Sequence, residues 1–152
     1  MNRYDEIADG VIVNKIRVSW LEISKMYNEM AVSIGGTMSM AFVLLTINER
    51  YGTPVTKIAP RMGMEPNSLS RILKSLEDKG AIYKRKDPND KRKVYVCLSD
   101  LGMELRGEAF KTLFDFENSI HEKIPADKIK IFFEVLNAIP DIVSEFREKK
   151  NK

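Results

Sequence analysis

The chain has 152 residues, of which 43% are hydrophobic and 31% charged. That balance is typical of one folded domain and argues against disorder. No apolar run approaches the ~18 residues that cross a bilayer, so we expect no membrane partner. The acidic start, MNRYDEIADG, lacks the apolar core of a signal peptide. Because a single cysteine cannot form an internal disulfide, we expect a reducing, cytoplasmic location.

The net charge of +3 is small, but it is unevenly distributed along the chain. Between Thr53 and Leu98 there are eleven Lys or Arg residues against five acids, whereas the flanks together carry fourteen against seventeen. This distribution indicates a cationic working surface carried on a neutral or acidic frame.

Apolar residues near the start recur every three or four positions, which predicts a long helix with one apolar stripe. The stripe consists of Ile16, Trp20, Ile23, Tyr27, Met30 and Ile34. It packs either into the core of its own domain or, in part, against another subunit, and Gly35 and Gly36 end the helix. A second helix, with Ser39 as its N-cap and Gly52 closing it, is predicted to bury Met40, Val43, Leu44 and Ile47.

Two further helices joined by a tight turn form a predicted helix-turn-helix. Thr56 is the expected cap of the first, which is brief and stops at Gly63. The second helix begins at Pro66 and ends before Gly80. Its buried stripe follows helical spacing at Leu69, Ile72, Leu73 and Leu76.

The opposite face of this second helix carries polar and basic side chains with no acid among them. They are Asn67, Ser68, Ser70, Arg71 and Lys74. Solvated helix faces usually mix Glu with Lys, and the helix dipole favours acids in the first turn. Asn, Ser and Arg near the start of such a helix are the residue types that read base edges and bind phosphates. This face therefore predicts contact with double-stranded DNA.

Directly after Gly80, the stretches AIYKRK and VYVCL alternate as short strands and are joined by the turn DPNDKR. A hairpin in this position is the wing of a winged helix. The hairpin contains only two acids, Asp87 and Asp90. Its six cations are Lys84, Arg85, Lys86, Lys91, Arg92 and Lys93. We interpret the wing as facing the same polyanion as the preceding helix.

The rest of the chain is predicted to be helical. One helix starts at the cap residue Ser99, and the last is opened by Pro125 and kinked at Pro140. The fold class is therefore mainly α with a small β-hairpin. We expect a single domain over residues 1–152, in which a winged helix-turn-helix (37–102) is flanked by dimerisation helices (1–36 and 103–152).

With these residues identified, the stretch VTKIAPRMGMEPNSLSRILKSLEDKGAIYKR resembles the helix-turn-helix of the MarR family of dimeric winged-helix transcription regulators. The family's characteristic positions are occupied by Ala59, Gly63, Leu76, Glu77, Gly80 and Arg85. The stretch DPNDKRKVYVCLSDLG resembles the family's wing, with Asp90 and Arg92 as its DxR signature. Pro60 and Pro66 depart from the family pattern, and we expect them to tilt the two helices slightly.

The resemblance implies roles for the basic region. Arg92 is expected to enter the minor groove, steadied by Asp90, and Lys74 and the wing lysines, Lys91 among them, to contact phosphates. The expected major-groove contacts are Asn67, Ser68, Ser70 and Arg71. The family usually acts as a homodimer on a near-palindromic operator and responds to a small anionic or aromatic effector. A pocket for such an effector is expected between the first two helices, unless its residues are plain core: Ile16, Trp20, Met40 and Leu44.

Catalytic, metal-binding and cofactor-binding patterns are absent from the sequence, so we expect no enzyme. His121 has no second histidine or cysteine cluster to form a zinc site. Cys97 lies in a predicted strand, whereas the family's peroxide sensors carry their reactive cysteine near the N-terminus. No phosphate-binding glycine loop or nucleophile elbow is present. An alternative to DNA binding is a winged helix that contacts an acidic protein partner.

Overall fold

Helices form most of the structure, a computed structural model that describes residues 3–151. In chain order the elements are α1 (Arg3–Ile7), a single 3-10 turn (Ala8–Gly10), α2 (Ile12–Val32), α3 (Met38–Thr46), β1 (Thr53–Pro54), α4 (Val55–Met62), α5 (Pro66–Asp78), β2 (Ile82–Lys86), β3 (Val94–Leu98), α6 (Asp100–Lys123) and α7 (Ala126–Lys150). The residues form two compact units, one up to Thr112 and one from Leu113 onward. The mainly α fold class with its small hairpin is confirmed.

The three strands form one antiparallel sheet in the order β1-β3-β2. The predicted hairpin is present, with Arg85 of β2 opposite Tyr95 of β3. The two-residue strand β1 pairs with the other side of β3 and places Pro54 opposite the same Tyr95. The sequence did not predict β1, because two residues, one of them a proline, carry no alternating pattern.

The core lies where α3, α4, α5 and the sheet meet. Its members are apolar and almost fully buried: Met40, Val43, Leu44, Ile47, Ile58, Ala59, Leu69, Leu73, Leu76, Ala81, Ile82 and Val96. The predicted buried sides of α3 and α5 are therefore confirmed, with Ile72 partly buried at the edge of the core. This core fixes α5 by one face only and leaves its opposite face exposed.

Two predicted N-caps are wrong, and one is confirmed. Thr37, rather than Ser39, caps α3, and its Oγ1 accepts a hydrogen bond of 3.2 Å from the backbone nitrogen of Met40. Thr56 lies inside α4, which starts one residue earlier without a side-chain cap. In both helices, a start earlier than predicted moves the expected cap residue into the helix. At α6, Ser99 Oγ does accept from the backbone nitrogen of Gly102, at 3.1 Å.

The ends of the helix-turn-helix follow the prediction. Gly63 caps α4 in the left-handed conformation at φ 59°, as the predicted stop requires. Pro66 is the first residue of α5, and Gly80 follows its end at φ 74°. Pro60 lies within the last turns of α4.

Several helices carry large apolar side chains on exposed surface. In α2 these include Ile12, Val13, Ile16, Val18, Trp20 and Leu21. Of the predicted stripe, only Tyr27 is buried, whereas Ile16, Trp20 and Met30 are 41–50% exposed. In the second unit, α7 exposes Ile131, Phe132, Phe133, Val135, Ile142, Val143 and Phe146. Among the described residues, no helix combines the length and apolar character needed to span a membrane.

Candidate nucleic-acid interface

Helix α5 presents its polar face outward because its apolar face is held in the core. Leu69, Leu73 and Leu76 are at most 2% exposed. All five residues predicted for the DNA-facing side are exposed: Asn67, Ser68, Ser70, Arg71 and Lys74. The structure therefore brings these residues together on one surface.

Two of these side chains are engaged within the helix. Ser70 Oγ donates to the carbonyl oxygen of Pro66 at 3.0 Å, which leaves the hydroxyl lone pairs able to accept. Lys74 Nζ lies 3.2 Å from an Asp78 carboxylate oxygen, one turn further along the helix. Both groups are exposed, so a phosphate can replace the carboxylate at little energetic cost.

The tip of the wing is a turn organised by Asp87. Its Oδ1 accepts from the backbone nitrogens of Asn89, at 2.8 Å, and of Asp90, at 3.1 Å. The backbone nitrogen of Asp87 donates to the carbonyl oxygen of Lys93 at 2.9 Å and closes the turn. The hydrogen bond from Asn89 contributes most to lowering the pKa of the Asp87 carboxyl below its ordinary value of 3.8, with smaller contributions from Asp90 and Lys93. The turn is therefore defined before any ligand binds.

Asp90 and Arg92 form an ion pair at this tip. Arg92 Nε lies 3.2 Å from Asp90 Oδ1, and the Arg92 side chain is 92% exposed. Asp90 is more enclosed, with 31% of its side chain exposed. The structure thus brings the two DxR residues into contact and directs a guanidinium outward. The neighbouring Lys91 is exposed on the same turn.

Two open grooves border these side chains. One, of about 370 Å³, lies between the start of α4 and the wing and is lined by Pro54, Val55, Thr56, Lys84, Arg92, Lys93 and Val94. The other, of about 390 Å³, lies between α4 and the start of α5 and is lined by Val55, Thr56, Ala59, Pro60, Met64, Pro66, Leu69 and Ser70. The first groove is cationic on the wing side, which suits a passing phosphate backbone.

Of the four residues predicted for an effector pocket, two lie in the core and two are exposed. Met40 and Leu44 are 8% and 2% exposed and face the core, whereas Ile16 and Trp20 are 41% and 50% exposed. One cavity lined by Met40 and Leu44 measures about 10 Å³, room for about one water molecule.

The sequence left a metal ion, His121 and Cys97 as candidates for other chemistry. Within residues 3–151, no group of three or more His, Cys, Asp or Glu side chains is placed to hold a metal ion. His121 is exposed on α6. Cys97 is 6% exposed in β3, opposite Tyr83 of the neighbouring strand.

The contacts of Arg85 were not predicted from the sequence. Arg85 is one of the six wing cations and is exposed, but its Nη2 donates to the carbonyl oxygen of Tyr51 at 3.0 Å. The same guanidinium lies 5.1 Å from the centre of the Tyr95 ring. Tyr51 is 34 residues away along the chain and acts through its backbone, so no local sequence pattern could have identified it.

Comparison with known proteins relates this interface to a family. The model of the "MarR family" matches residues 37–94. The HTH-type transcriptional regulator BilQ of Clostridioides difficile is 23% identical over 113 residues, 74% of this chain and 76% of BilQ. TtmR of Methylorubrum extorquens, also an HTH-type transcriptional regulator, is 33% identical over 72 residues. That match takes in 47% of this chain and only 37% of TtmR.

Solved structures show the same fold. The S. aureus MepR–DNA complex superposes with a TM-score of 0.77 at 20% identity, covering 86% of this chain and 97% of MepR. CouR from Rhodococcus jostii RHA1, bound to p-coumaroyl-CoA, superposes with a TM-score of 0.75 at 19% identity, covering 87% and 93%.

Proposed function

The chain belongs to the MarR family of winged-helix transcriptional regulators, and from this premise we propose that it binds a near-palindromic DNA operator as a homodimer. In each subunit α5 enters the major groove and the wing enters the adjacent minor groove. The observation that carries this proposal is the pairing of an acid-free exposed face on α5 with an outward guanidinium on the wing. Lys84 of the wing and Glu77 of α5, 3.2 Å apart, connect the two elements.

The side chains divide into those that read bases and those that position the protein. Arg71 is proposed to make a bidentate contact with a guanine edge, and Asn67, Ser68 and Ser70 to contact neighbouring bases. Lys74 and Lys91 bind phosphates, which supplies affinity without sequence preference. Arg92 enters the minor groove, and Asp90 holds its guanidinium.

The homodimer is proposed because a single chain leaves large apolar surfaces uncovered. The exposed side chains of α2 and α7, among them Trp20, Phe132 and Phe146, exceed what an isolated small domain usually exposes. We propose that a second copy of the chain buries these apolar side chains. Twofold symmetry then places two α5 helices about one DNA turn, ~34 Å, apart.

We also propose that a small anionic or aromatic molecule regulates DNA binding, and that the protein acts in the cytoplasm without catalysis. The structural neighbour CouR, bound to p-coumaroyl-CoA, supports this kind of effector. A shift in operator affinity on adding aromatic carboxylates, measured with and without each compound, tests the proposal.

The function is tested by selecting DNA from a random pool with the purified protein and sequencing it. We expect an inverted repeat whose half-sites are centred 10–10.5 base pairs apart, or about one turn. The protein–protein alternative would be supported instead if no DNA sequence were enriched and the protein bound an acidic polypeptide in a way that added salt abolished.

A further inference from the structure

The turn between α3 and β1, residues 48–52, is closed by its own hydrogen bonds and lies against the sheet of the wing. Asn48 Oδ1 accepts from the backbone nitrogens of Arg50, at 3.0 Å, and Tyr51, at 2.8 Å. Gly52 donates from its nitrogen to the carbonyl oxygen of Asn48 at 3.0 Å and has a φ of 73°. A Cβ at Gly52 would lie 2.7 Å from the carbonyl oxygen of Val96, so the turn lies directly against β3.

The same turn is fastened to helix α6. Glu49 forms an ion pair with Arg106, whose side chain is only 19% exposed. The turn is therefore held by hydrogen bonds to Asn48, by its contact with β3 and by the ion pair to α6. The carbonyl group of Tyr51 has a fixed position in this arrangement.

Arg85 connects the wing to this fixed carbonyl. It lies in β2, opposite Tyr95 of β3, and Tyr95 is in turn opposite Pro54 of β1. Since its guanidinium lies over the Tyr95 ring and bonds the Tyr51 carbonyl, the side chain crosses the sheet from β2 to the turn that precedes β1. Strand β1 contributes two residues of pairing, and this side chain adds a second link between the sheet and the turn.

We propose that Arg85 is a positioning residue that fixes the wing relative to residues 48–52 and thereby places Arg92 for the minor groove. Tyr95, on which Arg85 packs, is three residues from Arg92. Arg85 is exposed, as is its neighbour Lys86, but its guanidinium already bonds the Tyr51 carbonyl and lies over the Tyr95 ring. This inference rests on the proposed DNA-binding function.

The test is a double-mutant cycle on the selected operator, with Arg85→Gln, Arg92→Ala and the pair of substitutions. We expect Arg85→Gln to weaken binding by about tenfold in the parent protein and by less than about threefold when Arg92 is already absent, since it acts through Arg92. Lys86→Gln is the matched control, because it removes the same charge one residue away. Its smaller loss should be the same in both backgrounds.

The conservative variant Arg85→Lys separates positioning from charge. An ammonium group retains the charge but has no planar face to pack on Tyr95, so we expect it to lose nearly as much affinity as Arg85→Gln. Arg85→Lys binding as tightly as the parent, with losses that multiply between Arg85→Gln and Arg92→Ala, would identify a phosphate contact and overturn the proposal.

A measurement without DNA keeps the two proposals distinguishable. Amide hydrogen exchange of the free protein should rise at residues 49–54 in Arg85→Gln and Arg85→Lys and stay unchanged in Lys86→Gln. Unchanged exchange in all three variants overturns the connection, even if DNA binding is established. If the parent protein selects no DNA sequence, the proposed function is wrong, and so is the proposed role of Arg85 in positioning Arg92.

Discussion

Asp90 accepts two hydrogen bonds from Arg92 through one oxygen. Oδ1 lies 3.1 Å from the backbone nitrogen of Arg92 and 3.2 Å from its Nε. The first bond sets the turn, and the second orients the guanidinium, which is otherwise open to solvent. An acid beside DNA repels phosphates, yet an acid that orients an arginine reduces the side-chain entropy lost on binding. The two effects have opposite signs and can be separated by substitution.

Asp90→Ala should weaken operator binding, because losing the orientation of Arg92 outweighs the removal of one negative charge. Asp90→Asn is the matched control, since an amide oxygen can still accept from the backbone and Nε of Arg92 without carrying charge. We expect it to bind more tightly than Asp90→Ala when both are titrated by fluorescence anisotropy. Tighter binding of Asp90→Ala than of the parent at every salt concentration would leave Asp90 only a turn-forming role.

Arg92→Ala should reduce affinity strongly and flatten the salt dependence of binding by about one unit of slope, since one fewer counterion is released. The loss should be larger on operators with A·T-rich sequence under the wing, where a narrow minor groove concentrates negative potential. The check is a salt titration on two operators that differ only there. Equal losses on both would place Arg92 on the backbone instead of in the groove.

Arg71→Ala should cost ~1–3 kcal/mol of specific binding and relax the preferred base at one position per half-site. Arg71 is exposed on the acid-free face of α5, where a guanidinium can bond a guanine edge with two donors. Lys74→Ala serves as the control, with a uniform loss expected across sequences. Parallel selection of DNA with both variants provides the measurement, and identical base preferences for the parent and Arg71→Ala would reassign Arg71 to a phosphate.

The protein should sediment as a dimer at micromolar concentration without DNA, at twice the 17.5 kDa of one chain. Phe132→Glu should shift it toward the monomer, because Phe132 is 57% exposed on the apolar surface of α7 and a dimer would bury it. Lys130→Glu introduces the same residue into an exposed polar position of that helix and should leave the dimer intact. A monomeric parent protein would remove the basis for a palindromic operator.

Two glycines of α6 should respond oppositely to alanine. A Cβ at Gly102 would overlap the carbonyl oxygen of Ala81, so Gly102→Ala should lower the free energy of unfolding by roughly 1–3 kcal/mol. A Cβ at Gly107 meets nothing within 4 Å, so Gly107→Ala should raise it by roughly 0.5–1 kcal/mol through helix propensity. Urea unfolding of both variants gives the comparison, and a shift of the same sign in both would contradict this account.

The sequence predicted the fold well where the helical spacing of apolar residues coincides with a proline or glycine that marks the end of a helix. Helix α5 is bounded by Pro66 and Gly80, and its leucines recur at helical spacing, so its limits and buried face followed directly. The cap of α3 was misplaced, because Thr37 and Ser39 are both competent N-caps and only the helix start selects between them. Sequence alone does not fix that start.

For the candidate site, prediction succeeded with contacts close in sequence. Asp90 and Arg92 are two residues apart, and their pairing follows from the turn. The bond from Arg85 to Tyr51 and the ion pair of Arg106 with Glu49 span 34 and 57 residues. Such contacts depend on how distant elements pack, which one sequence does not reveal.

Three cations of the interface already have carboxylate partners in the free protein. Lys74 pairs with Asp78, Lys84 with Glu77, and Arg92 with Asp90, each at 3.2 Å. These acids act as built-in counterions. DNA phosphates can replace the acids of the two lysine pairs, Asp78 and Glu77, whereas the proposed minor-groove role of Arg92 requires Asp90 to stay in contact. The three pairs also keep their cations on the DNA-facing surface while the protein is free, so less side-chain freedom is lost when DNA binds.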